Sequence, residues 1–313
     1  MVRKVLSLLS LVFLALGVVY IVAALWFYRG GDKPPWDSWH STSAFVRFWI
    51  WALPYIAFAL FGLGLASTYI LWCPRCWTVT AKELRTYFTS PIAYSIMFAV
   101  FLLAGVIFWW STLAHQVGEG GVEVGESFKT TCFLLLFISP LLTMRLFAEE
   151  KASGTYEILM TRPVHDAKVV IGKYLAASGV MLVILAGTLV QPLALEIGGK
   201  PEWGTIWTAY LGLALVTMAF VAIGLFTSSL TSSQIASAAL TLLALLVSWL
   251  LSALRWVYPG KLISKVGEYL SVNAVMDEFA WGTIDTTRLV YLGSVIIFFL
   301  FAAWMTLFMN RSK

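Results

Sequence analysis

Long apolar runs alternate with short polar breaks along the whole chain. Eight runs are long enough to span a bilayer, near 5–28, 46–72, 91–111, 130–147, 169–193, 205–228, 234–255 and 288–309. A span needs roughly 20 residues at about 1.5 Å each to cross a hydrocarbon core of about 30 Å. The breaks carry turn chemistry: Gly30-Gly31 with Pro34-Pro35, a glycine-rich stretch at 118–125, Gly198-Gly199 with Pro201, and Pro259-Gly260. Ser90-Pro91 reads as a helix start, serine at the cap and proline at the first helical position. The first run, Val5–Tyr28, has 24 residues, beyond the roughly 7–15 of a signal-peptide core, so it reads as a retained helix. No period of roughly 20–50 residues repeats. The pattern predicts an all-α polytopic membrane protein of about eight spans.

Two polar stretches break this pattern with structure of their own. In WTVTAKELRTYFTS (77–90), Trp77, Ala81, Leu84 and Phe88 fall on one helical stripe, with Lys82, Glu83 and Arg85 facing away. Such a helix lies in the membrane interface and turns at Ser90-Pro91 into a span. The second stretch, RLFAEEKASGTYEILMTRPVHDAKVVIGKY (145–174), mixes Glu149, Glu150, Lys151, Glu157, Arg162, Asp166 and Lys168 with Tyr156, Ile158, Leu159 and Met160. Gly154 and Pro163 bracket a short amphipathic helix from about Thr155 to Thr161. Asp166 is placed to cap the next span, and Lys168 and Lys173 to reach headgroups. A mere connection needs only a handful of residues, so this segment reads as a docking surface for a cytosolic partner; the competing reading is a helix resting on lipid. Just before it, Pro140 in FISPLLTMRL frees a carbonyl and kinks its span, as a packing feature or a hinge, with Ser139 at hand to compensate.

Composition makes the membrane assignment firm. Hydrophobic residues make up 60% and charged residues 12%, and the mean hydropathy is +0.86, against about 45–50% and about 25% in soluble domains. The excess of 21 Lys and Arg over 16 Asp and Glu is ordinary for this class and does not argue for nucleic acid. With the N-terminus inside, 12 of the positive residues face the cytoplasm and nine face out, which favours that orientation. The middles of all eight spans lack Asp, Glu, Lys, Arg and His, which argues against a proton-coupled carrier. The three histidines fall in loops, away from any paired haem ligation inside the bundle. The pair in CPRC (73–76) lacks the second pair of a zinc knuckle. Gly172-Lys173-Tyr174 is not a phosphate loop. The sequence therefore offers no catalytic residue, cofactor site or metal site, and no energy source of its own. Towards the C-terminus, Leu262, Ile263, Val266, Tyr269 and Leu270 recur at helical spacing against Lys261, Lys265 and Glu268. One face of that segment suits the outer leaflet, as a passive lid or as a gate using Tyr269, Asp277, Glu278 and Phe279.

ELRTYFTSPIAYSIMF (83–98), SPLLTMRLFAEEKASGTYEILMTRPV (139–164), GKYLAA (172–177) and DEFAWGTIDTTRLVYL (277–292) resemble the permease subunits of type-2 ABC exporters, most nearly the gliding-motility and nitrous-oxide-reductase-maturation branch. The resemblance covers roughly residues 80–310. It implies a permease core over 77–313 that dimerises with a second copy or a paralogue and binds separate ABC ATPase subunits, which hold the ATP. It implies an elbow helix at 77–90 (Trp77, Leu84, Arg85, Phe88). It also implies a coupling segment at 148–166 (Glu149, Glu150, Lys151, Gly154, Tyr156, Glu157, Leu159, Met160), with its helix near 150–162, and an outer re-entrant segment at 256–287. Residues 1–76 depart from that branch as an extra two-helix hairpin. The expected function is a non-enzymatic permease of the inner membrane, both termini cytoplasmic and lipid around it, that moves or exports a substrate through an apolar path. A scaffold of an envelope machine and a lipid-modifying membrane enzyme are the rivals.

Overall fold

The computed structural model describes residues 74–109, 125–156, 165–192, 203–257 and 262–311. The two N-terminal runs at 5–28 and 46–72 lie outside the described residues, as do Cys73, Glu157, Leu159 and Met160. The described chain is helical, with no strand among these residues. Numbering its helices in order gives α1 (Pro74–Thr89), α2 (Pro91–Phe108), α3 (Gly125–Thr143), α4 (Arg145–Ala152), α5 (Asp166–Gly187), α6 (Trp203–Leu230), α7 (Gln234–Leu250), α8 (Leu254–Val257), α9 (Leu262–Leu270), α10 (Val272–Ala280) and α11 (Thr286–Arg311).

Among the described residues, five stretches are long and apolar enough to cross a membrane: Gly125–Ala152, Asp166–Pro192, Trp203–Leu230, Gln234–Ala253 and Thr286–Asn310. The pair Cys76–Thr89 and Ala93–Phe108, bent by 70°, makes a sixth. The bend falls at Ser90, whose extended backbone (φ −85°, ψ 126°) precedes Pro91 at the helix start, as its sequence predicts. At the next polar break His165 takes the extended cap position rather than Asp166, which forms the first helical turn. A carboxylate there still meets the positive end of the helix dipole.

The bundle is built around α6, which packs on α3, α4, α5, α7, α10 and α11. Lipid offers no hydrophobic force between helices, so small residues at the crossings decide how closely they approach. A Cβ on Gly212 would sit 2.6 Å from Phe279 Cγ, and one on Gly224 would sit 2.1 Å from Thr143 Oγ1. The glycines let α10 and α3 lie directly on the α6 backbone. By contrast α7 and α11 keep most of their apolar surface outside: Ile235, Leu243 and Val247 on one, Val290, Ile297 and Phe298 on the other. These apolar faces point away from the described bundle.

The two ends of the bundle differ. At one end, α9 exposes Leu262, Ile263, Val266, Tyr269 and Leu270, the apolar set its sequence spacing groups together. Its continuation α10 does the opposite and buries Val275, Met276 and Phe279 completely. The far end gathers α1, α4, the start of α5 and the end of α6 around the buried Lys173.

Candidate functional site: the charged end of the bundle

Lys173 stands on the second turn of α5 with only 2% of its side chain exposed. Its Nζ donates to Glu83 Oε1 of α1 at 3.0 Å, to Glu150 Oε1 of α4 at 2.8 Å and to the Leu146 carbonyl of α4 at 2.7 Å. It also lies 5.2 Å from the centre of the Phe147 ring. An ammonium has three donors and all three are used here. Burying such a charge is costly, and removing one partner from a buried pair costs about 3–5 kcal/mol because the other charge is left uncompensated. Glu150 contributes a second burden, since its Oε2 is buried with no hydrogen-bond partner. One lysine thus fastens three helices by charge.

Sequence reasoning sent Lys173 to the headgroups and turned Glu83 outward; the fold overturns both. The reason lies in the face that α1 buries. Thr80 and Tyr87 are buried and Glu83 is largely so, one helical step round from the apolar stripe. Polar anchors hold that face: Thr80 Oγ1 donates to the Gly172 carbonyl (3.1 Å) and Tyr87 OH to the Leu142 carbonyl (2.9 Å). Of the proposed elbow residues, Leu84 packs on the core, Trp77 is half-buried, and Arg85 and Phe88 are exposed.

On its other side α4 is held by the end of α6. The span α3 runs into α4 through a single turn residue, Met144. Ser228 Oγ accepts from Phe147 N (3.0 Å) and Ala148 N (3.1 Å) and donates to the Met144 carbonyl (3.2 Å). Lys151 Nζ donates to the Ser229 carbonyl. Ser139, the hydroxyl at hand to compensate Pro140, has its Oγ buried and unpartnered; Ser228 of α6 serves the separate break at Met144. Each neutral bond is worth about 0.5–1.5 kcal/mol net, and Lys151 is exposed enough for water to replace its contact. The Lys173 side is the stronger grip.

The coupling residues divide accordingly. Glu150 and Lys151, expected to steer a partner from the surface, are committed to these internal contacts. Glu149 is half-exposed and pairs with Arg145 (Nε–Oε2 3.0 Å), whose Nη1 reaches Ser90 Oγ at 3.4 Å. Gly154 ends the helix with φ +71°, a conformation glycine adopts freely. Tyr156 packs against the core below Lys151, 5.4 Å from its ring centre. Burial raises the pKa of its hydroxyl. The segment from Ala152 to Thr155 is exposed.

At the opposite end the four gate candidates are brought together but pinned. Asp277 pairs with Lys129 of α3 at 2.7 Å. Arg288 of α11 holds Glu278 through Nε and Nη2, donates Nη1 to the Tyr269 carbonyl at 3.0 Å, and lies over the Tyr269 ring. Phe279 is fully buried against Gly212 and belongs to the core rather than to a surface gate. Among the described residues no group of three or more His, Cys, Asp or Glu is placed to hold a metal. Lys173 and Arg288 had a sequence signal, a cation near the end of an apolar span; Ser228 had none.

The described residues thus form a helical bundle with a pair of helices bent at Ser90 and a cluster of buried charge at one end. The profile of the ABC-2 family transporter proteins matches residues 89–248, from the end of α1 to α7. The chain belongs to this family. The "probable ABC transporter permease protein NosY" of Pseudomonas aeruginosa is 30% identical over 121 residues, 37% of this chain and 42% of the relative. The match thus spans less than half of that relative's length. The protein is a type-2 ABC permease, a multi-pass α-helical membrane subunit of a kind that is not itself catalytic.

Proposed function

We propose that this permease couples ATP hydrolysis on a separate cytoplasmic ABC ATPase to export of a substrate. The end of α4 and the segment after it are the contact; the chain sits in the inner membrane, with the charged end and both termini facing the cytoplasm. The permease works as a dimer with a second copy or a paralogue, surrounded by lipid, and ATP stays on the partner. The observation that carries this reading is the junction at α4. The spanning stretch Gly125–Ala152 carries α4 at its end, stops in the exposed turn at Ser153-Gly154, and is tied by Lys173 to α1 and α5. A push on that turn therefore reaches three helices at once.

The apolar residues Leu159 and Met160 fill the partner's groove in this reading, while Tyr156, which packs on the permease's own core, anchors the segment that carries them. Glu149 and Glu157 are left to steer docking, because Glu150 and Lys151 are engaged internally. A carboxylate placed in an apolar interface without a partner costs several kcal/mol, whereas an exposed ion pair is worth about 0–1 kcal/mol. Leu159→Asp should leave the permease in the membrane at wild-type yield and abolish co-purification of the ATPase or its stimulated activity. Glu149→Ala should be mild. Full association and full ATPase stimulation by Leu159→Asp would remove the coupling role from this segment.

A further inference from the structure

We infer that Lys173 is the positioning residue that makes α1, α4 and the first turns of α5 one moving body, and that the contact with Ser228 is the joint at which this body parts from α6. The inference rests on the coupling reading above and specifies the motion within it.

The helix α4 is held on two sides, and a displacement of its end must break one of them. On the α5 side, a fully buried ammonium meets Glu150, Glu83 and the Leu146 carbonyl. Pulling Glu150 away would strand charge in the protein interior. On the α6 side α4 packs with its buried Leu146, Phe147 and Ala148, and its polar ties are neutral hydrogen bonds to Ser228 and one contact from a half-exposed lysine to the Ser229 carbonyl. Water can replace these polar ties as they open, and apolar contacts can slide without stranding charge. Of the two sets of polar ties, those to α6 yield first.

A further bond crosses this joint, from Tyr174 OH of α5 to the Met218 carbonyl of α6, at the long distance of 3.4 Å; the other contacts agree on where the motion begins. Just before Met144, Thr143 presses on Gly224 with no room for even one added carbon, so α3 and α6 are fixed to each other there. Just after Met144, the helix restarts. The link from Thr80 to Gly172 fastens α1 to α5 independently of the charges. The bond from Tyr87 to the Leu142 carbonyl ties α1 beside the break itself, where a pivot moves least. The fixed unit therefore ends at Thr143 and Gly224, and the mobile unit begins at Arg145.

The test uses the full permease bound to its ATPase, free of other cysteines, with spin labels on exposed positions: Thr86→Cys on α1, Ser153→Cys after α4, and Ser232→Cys after α6. Distances are measured by pulsed electron paramagnetic resonance without nucleotide and with ATP trapped by vanadate. The expected result is a changed 153–232 distance and an unchanged 86–153 distance. With Lys173→Met the 86–153 distance should broaden and become nucleotide-dependent. If that variant does not reach the membrane, Lys173→Met/Glu83→Gln/Glu150→Gln, which leaves no stranded charge, should restore yield but not the fixed 86–153 distance. A nucleotide-dependent 86–153 distance beside a constant 153–232 distance in the otherwise wild-type chain would overturn the joint and leave the coupling reading standing. So would wild-type behaviour of the triple variant. If neither distance moved with the ATPase bound and cycling, both the inference and the coupling reading would fall.

Discussion

Buried cations at the two ends of the bundle play different parts, and Arg288 shows the difference. It sits at the start of α11, 8% exposed, and gathers both oxygens of Glu278, the Tyr269 carbonyl and the Tyr269 ring. A bidentate guanidinium is geometrically specific in a way lysine is not. It acts as a clasp that holds α9 and α10 against α11. The Glu278 side chain is about a third exposed, so the cost of breaking the pair falls short of the fully buried case, at roughly 1–3 kcal/mol. Arg288→Gln should lower the melting temperature of the purified permease and speed hydrogen exchange across 262–280, while exchange at the Lys173 end stays unchanged. Equal exchange in both regions would mean that the clasp is redundant with the Lys129–Asp277 pair. Arg288→Lys should restore little, since one ammonium cannot meet the carboxylate, the carbonyl and the ring together.

Among the elements, the decisive contact is the crossing of α3 and α6 at Thr143 and Gly224. Adding a methyl to a packed crossing costs about 1–3 kcal/mol when neighbours cannot give way, and Thr143 is β-branched with little rotamer freedom. Gly224→Ala should therefore destabilise by about that amount, measured by thermal unfolding in detergent. Gly224→Ala/Thr143→Ala should recover most of the loss, since the added and removed groups occupy the same space. Additive losses in the double variant would place the strain elsewhere. At this scale the sequence was informative about helices and poor about their faces. The spans from 91 onward were legible because apolar length alone specifies a membrane helix, and Ser90-Pro91 marked the elbow bend. The buried face of α1 was not, because hydrophobic periodicity groups Trp77, Leu84 and Phe88, whereas the fold buries Thr80, Glu83 and Tyr87. Those polar groups become interior only through partners 55 to 92 residues away in the chain. Ser228 was invisible for the same reason: its value lies in a break on another helix. For the segment 256–287, spacing identified the exposed apolar side of α9 but not the burial of Phe279, which depends on a glycine in α6.

For the whole molecule, the distribution of charge over the two ends argues for its orientation. One end carries Lys82, Arg85, Arg145, Lys151, Lys168, Lys173 and Arg311. The other carries Lys129, Arg255, Lys265 and Arg288, and three of these are neutralised by Asp277, Glu268 and Glu278. Lysine and arginine near span ends are retained on the cytoplasmic side, so the end with Lys173 should face the cytoplasm. The same orientation lets a cytosolic ATPase reach the turn at Ser153-Gly154 and puts the apolar face of α9 in the outer leaflet. The two expectations thus stand or fall together. In a cysteine-free permease, Ile284→Cys, exposed beside α11, should react with a membrane-impermeant maleimide in intact cells. Ser153→Cys and Ser232→Cys should react only after the membrane is opened. Labelling of Ser153→Cys from outside, with Ile284→Cys protected, would invert the molecule. That outcome would remove the coupling segment from the ATPase and leave the cluster around Lys173 as a structural fastening alone.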